Sequence, residues 1–130
     1  MKEVLDFLEA ASIYYIASIE KNEPRVRPFG TVNIFDGKLY IQTGKSKDFS
    51  KQIQANPKIE ICACHQGDWI RVNATLIEDD RKEAKASMLD KYPSLQKMYS
   101  PDDDNTLVLY LKDAVATISS RVKETKIINF

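Results

Sequence analysis

A chain of 130 residues, 43% of them hydrophobic, has the size and apolar content for one domain spanning residues 1–130. No apolar run approaches the ~20 residues that cross a bilayer, and the opening Met1-Lys2-Glu3 is unlike a secretory leader, so a soluble cytoplasmic protein without membrane partners is expected. Nineteen basic residues balance nineteen acidic ones, which argues against a protein whose main task is coating nucleic acid.

Val4, Leu5, Phe7, Leu8 and Ala11 recur at helical spacing, so residues 2–12 read as an amphipathic helix packed on something larger. Residues 13–19 are β-branched and aromatic, as in a strand. Asn22-Glu23-Pro24 marks a turn before a second strand over 25–35. Pro28 cannot donate to a ladder, which puts that strand at an edge or gives it a bulge. Asp36-Gly37 is a two-residue hairpin signal leading into a third strand over 39–43. Ser46 is placed to cap a short helix whose Phe49 and Ile53 face inward, and Asn56-Pro57 ends it. Residues 59–64 and 69–76 alternate around Gln66-Gly67-Asp68, a second hairpin. Asp80 with Glu83 has the spacing of a capping box opening a helix through Asp90, followed by a short helix over 95–99 and a polar loop over 100–105. Residues 106–111 and 114–119 read as a closing hairpin. Six or seven short strands with two or three helices, and no regular helical crossovers, predict a mainly β, antiparallel barrel with flanking helices.

Charge is unevenly spread. From Lys21 to Lys58 eight bases face three acids, whereas from Glu78 to Asp104 eight acids face five bases, so an anionic ligand is expected on the first half. Thr43-Gly44-Lys45-Ser46-Lys47 joins a strand end to a helix start. Free N–H groups and the partial positive charge of a helix N-terminus favour a phosphate there. The Gly-Lys-Ser tripeptide is not a nucleotide-triphosphate loop, which would need glycine where Leu39 stands. An ordinary capped helix with solvated lysines also fits these residues. Arg25-Val26-Arg27-Pro28-Phe29-Gly30 places two arginines on one strand face.

The order Pro-Arg-Val-Arg-Pro-Phe-Gly (24–30), Asp-Gly-Lys-Leu-Tyr-Ile-Gln-Thr (36–43), Ser46-Lys47, Asn-Pro-Lys-Ile-Glu (56–60) and Trp-Ile-Arg-Val (69–72) resembles the FMN-binding split-barrel proteins related to pyridoxamine 5′-phosphate oxidase. The likeness is nearest to the short members grouped with nitroimidazole-resistance proteins and covers about residues 5–78 well. The resemblance implies a split barrel that forms a homodimer, with FMN in grooves between the subunits. It implies further that Arg25, Val26, Arg27 and Pro28 line the flavin ring or ribityl chain, and that Gln42 and Thr43 sit beneath them. Ser46 and Lys47 would take the phosphate, with Lys51 one turn later, and Trp69 would stand near the cofactor. The implied activity is an FMN-dependent oxidoreductase using a small-molecule substrate and an electron donor. Relatives commonly have glycine where this chain has Ala74, and the stretch from Arg121 to Phe130 carries neither the tryptophan nor the arginine pattern with which true pyridoxamine phosphate oxidases bind substrate, so that activity is not implied.

No nucleophilic triad or acid pair stands out, as expected where a flavin carries the electrons. Cys62, Cys64 and His65 fall short of the four ligands of a structural zinc, so strand positions are expected for them and no metal. Alternative readings are a deazaflavin or haem in the same groove, a flavin store or sensor, or a nucleic-acid platform built from Arg25, Arg27, Lys45, Lys47, Tyr40 and Trp69.

Overall fold

Alternating apolar residues carry nearly half of the chain into strands, and the computed structural model, which describes residues 1–130, pairs eight of them antiparallel. They are β1 (Tyr14–Glu20), β2 (Glu23–Phe29), β3 (Asn33–Phe35), β4 (Lys38–Gly44), β5 (Lys58–His65), β6 (Asp68–Asp79), β7 (Thr106–Ser119) and β8 (Lys126–Asn129). The order across the sheet is β2-β1-β5-β6-β7-β4-β3, with β8 added along β7. Helices α1 (Lys2–Ala11), α2 (Asp48–Ala55) and α3 (Lys82–Lys91) flank it, and a 3₁₀ turn covers Pro93–Lys97. This is the expected mainly β split barrel.

The inward residues of β1, β5 and β6, among them Ile16, Ile61, Ile70 and Val72, form one core with Val4, Leu5 and Leu8 of α1 and Phe49 and Ile53 of α2. Burying an apolar side chain of this size contributes about 1.5–3 kcal/mol, so α1 and α2 are held chiefly by these faces. β4 is covered on both sides: Leu39 and Ile41 join the main core, while Tyr40 packs with Val108 of β7 and Ala84 and Met88 of α3. No helix is long and apolar enough to cross a membrane.

Pro28 sits opposite Tyr15 on β2, which ends the sheet, so its missing donor leaves no ladder bond unmade. Asp36 and Gly37 both take positive φ, 51° and 72°, giving the mirror-image turn that matches strand twist. Four expectations are corrected. The strand expected over 25–35 is two, because the chain leaves the sheet at Thr31, whose hydroxyl accepts the Gln42 N–H (3.1 Å) while its carbonyl accepts the Tyr14 hydroxyl (2.6 Å). The closing hairpin is instead one continuous strand, β7: Asp113 adopts φ 52° at a register shift against β6, so the polar pair Lys112-Asp113 bends the strand without reversing it. Neither expected cap forms. Lys47, not Ser46, stands at the N-cap of α2, and the Ser46 N–H is taken by Asn105 Oδ1 at 3.0 Å. Arg81, not Asp80, stands at the N-cap of α3, and Asp79 Oδ1 accepts its N–H.

Candidate functional site

Between edge strand β2 and the end of β4 lies a cleft of about 730 Å³, within the size range of small-molecule sites. β2 contributes Arg25 to Phe29, β4 contributes Gln42 and Thr43, and the start of α2 contributes Lys47, Asp48, Phe49 and Gln52. Glu20 ends β1 at one rim, and Leu95, Met98 and Tyr99 stand over another.

The two arginines differ in kind. Arg25 is ion-paired with Glu20 (3.2 Å) and Glu23 (3.0 Å). Half-buried Arg27 has no acid partner and donates only to neutral oxygens: the Ile16 carbonyl (3.1 Å), Ser18 Oγ (2.8 Å) and Gln52 Oε1 (2.6 Å). Its guanidinium lies over the Phe49 ring, 4.8 Å from the centroid. Burial lowers its pKa, yet a guanidinium stays charged. The network continues: the Ser18 hydroxyl also donates to Gln52 Oε1, and Gln52 Nε2 donates to Glu20 at 3.2 Å. That amide bond, with Arg25 second, holds the Glu20 carboxyl below its ordinary pKa.

Lys47 forms no ion pair and stands where α2 opens, with the first free N–H groups of the helix. Phe29 and Phe49 meet edge to face at 5.1 Å on the apolar side. Gly44 permits the turn between β4 and α2 to pass close to two side chains: a Cβ there would come within 3.0 Å of Asn105 Nδ2 and 3.2 Å of the Tyr99 hydroxyl. A guanidinium with no direct acid partner, a lysine free of ion pairs at a helix start and an aromatic wall together suit a flat, partly apolar molecule carrying an anionic group.

The family profile described as pyridoxamine 5′-phosphate oxidase matches residues 1–118. The chain belongs to the pyridoxamine 5′-phosphate oxidase family. Among solved structures, a NimC/NimA family protein from Clostridium acetobutylicum superposes with a TM-score of 0.97 at 40% identity, covering 100% of this chain and 92% of that one. A pyridoxamine 5′-phosphate oxidase-related, FMN-binding protein from Nostoc punctiforme gives 0.65 at 15% identity, covering 99% and 95%. A heme-binding protein from Mycobacterium smegmatis gives 0.67 at 12% identity, covering 94% of this chain and 57% of that one. The last two likenesses are of fold. No curated protein matches the chain.

In this family member, Arg25, Val26, Arg27, Pro28, Gln42, Thr43 and Lys47 are brought together at the cleft. Ser46 and Lys51 are exposed and outside its lining, and Trp69 is half-buried on the outward face of β6, opposite Cys64 and Ser119. Tyr40 is buried, its hydroxyl donating to Asp79 at 2.6 Å, so the aromatic platform of the nucleic-acid alternative is not assembled. Cys62 and Cys64 are free and exposed on the same outward face. Sequence reasoning missed Glu20, Phe29, Phe49 and Gln52 as site residues, along with Leu95, Met98 and Tyr99. Gln52 was detectable as a polar residue one turn from Phe49 on the inward face of α2. Nothing local marks Leu95 to Tyr99, which reach the cleft only through the tertiary fold.

Proposed function

We propose that the cleft binds FMN and that the protein is an FMN-dependent oxidoreductase acting on a small molecule. The observation that carries this is Arg27, a charge held by neutral acceptors in an aromatic-walled cleft that Lys47 and the start of α2 also line. The residues present fit the cofactor. Lys47 and the first N–H groups of α2 would hold the phosphate, Arg25 and Arg27 would flank the ring and ribityl chain, and Gln42 and Thr43 would lie beneath. When bound, the flavin supplies two-electron chemistry between a donor such as a reduced nicotinamide and a small electrophile. The chain's own part is to orient the ring, exclude water with Phe29, Phe49 and the Leu95 to Tyr99 rim, and present cationic charge beside it.

The native assembly in this reading is a homodimer with the cofactor at the interface. Tyr15 and Val26 are 52% and 69% exposed, and with Ile13 and Ile19 they support an apolar contact on the outward side of β1 and β2. Trp69, outside its own chain's cleft, would approach cofactor only across such an interface. The free thiols of Cys62 and Cys64 support a reducing, cytoplasmic setting.

The test is an absorption spectrum of the purified protein followed by equilibrium titration with FMN and riboflavin. The expected result is a flavin spectrum, one FMN per chain and weaker riboflavin binding. A haem band or a deazaflavin spectrum would replace the cofactor assignment, and equal affinity for FMN and riboflavin would remove the phosphate role of Lys47.

A further inference from the structure

β5 turns Ile59, Ile61 and Ala63 to the core and Cys62 and Cys64 outward, where both thiols are free and exposed. Two such residues on one strand face stand about 6.6 Å apart at their Cα atoms, with their Cβ atoms pointing the same way. That is too far for a disulfide within the chain, whose Cβ atoms would lie about 3.5–4.5 Å apart. A soft metal ion about 2.3 Å from each sulfur needs the two sulfurs about 4.6 Å apart, a gap closed by thiols that lean toward each other along the strand.

The surroundings supply two ligands and no more. His65 follows Cys64 in sequence but faces the other way, its ring edge-to-face with Phe7 at 6.3 Å. Glu60, the next carboxylate along the outward face, is taken by Arg71 at 3.3 Å. No third His, Cys, Asp or Glu completes a cluster. Zinc, which needs four ligands, and magnesium, which needs oxygen, are therefore poorly served, whereas a soft ion that takes two thiolates in line is not. On the neighbouring strands Arg71 stands opposite Cys62, Trp69 opposite Cys64, and Tyr15 opposite Cys62 from the β1 side. Two thiolates on a monovalent ion leave one negative charge, which the adjacent guanidinium offsets, and the two aromatic rings flank the ion with π surface.

We propose that Cys62 and Cys64 form a two-coordinate site for a soft monovalent metal ion of the copper(I) class. Binding replaces two thiol protons with one ion, each sulfur giving an electron pair to the new bond, and nothing is oxidised. Neither cysteine lines the cleft, so the site stands whether or not the cleft holds FMN. Both ligands belong to one chain, and the second copy of the proposed homodimer contributes none.

The experiment titrates the reduced full chain, without oxygen or chloride, with silver(I) as a redox-inert stand-in for copper(I). Trp69 is the only tryptophan, so quenching of its emission by a heavy ion bound on the next strand reports occupancy. One equivalent per chain should quench it, excess zinc should not compete, and Cys62→Ser and Cys64→Ser should each lose the tight step. Bound silver should also shield both thiols together from alkylation, read by mass spectrometry on wild type, a measurement that needs no variant. Tight uptake that survives in either serine variant overturns the proposal, as does displacement by zinc or protection of one thiol alone. Half an equivalent per chain would mark four thiols shared by two copies and overturns it too, and so does the absence of any uptake. Flavin binding is scored separately: its loss would overturn the proposed function and leave this site untouched.

Discussion

Lys47 and Lys58 are both exposed and free of ion pairs, but only Lys47 stands at the cleft. Lys47→Ala is therefore expected to weaken FMN roughly 10- to 100-fold, since a charge-assisted hydrogen bond contributes about 1.5–3 kcal/mol, while Lys58→Ala changes little. Titration of the two variants checks this, and equal losses would move the phosphate elsewhere. A different residue-scale prediction concerns Asp79, which accepts from the Tyr40 hydroxyl and the Arg81 guanidinium (2.9 Å). Arg81 above all holds the Asp79 carboxyl down to about 2, and burial with Asp79 beside it pushes Tyr40 up to about 12. Since the carboxyl is depressed in the folded state, its contribution is complete above the ordinary carboxylate range and is lost as pH falls toward 2. The phenol is raised, so its contribution is complete below pH ~10 and is lost as pH rises toward 12. Asp79→Asn should cost about 1–2 kcal/mol at neutral pH, discounted for the exposed half of Arg81, and flatten the acid limb of stability. Urea unfolding between pH 7 and 3 measures both effects; an unchanged acid limb would show the pair to be energetically idle.

Elements with a local signal were legible in the sequence. α1 announced itself by spacing, the β3–β4 turn by Asp36-Gly37, and the edge position of β2 by Pro28. Elements settled by distant partners were not. Ser46 looks like a cap, but Asn105 claims its N–H from the far side of the sequence, and β7 looks like a hairpin because a bulge and a turn both begin with polar residues. The same reason divides the site: the arginine strand and the helix start were readable, whereas Gln52, Glu20 and the Leu95 to Tyr99 rim depend on which elements meet. The β4–α2 connection offers a test at this scale. Gly44→Ala would press a methyl against Asn105 and Tyr99, side chains that anchor the turn and line the cleft. Stability should fall by about 1 kcal/mol and FMN affinity about 3- to 10-fold, read by thermal unfolding and titration. An unchanged affinity would mean that the turn yields without disturbing the cleft.

At the scale of the molecule, the proposed homodimer makes a prediction that one chain cannot satisfy alone. A charge at an exposed position on the outward face of β1, Tyr15→Asp, should shift the light-scattering mass to that of a monomer and weaken FMN binding in step. A wild-type monomer at micromolar concentration that still holds FMN would contradict the interface. The two walls of the cleft belong to separate parts of the sheet. β2 is tied through β1 and β5 to β6, β4 is tied to β3, and β7 is the strand that pairs with both β6 and β4. During synthesis Arg27 and Gln42 thus leave the ribosome early and wait on opposite sides of an unclosed sheet until Thr106 to Ser119 have followed. In the flavin reading, cofactor capture is accordingly a late event in the birth of the chain, and until then both β4 and β6 present open edges to whatever else is nearby.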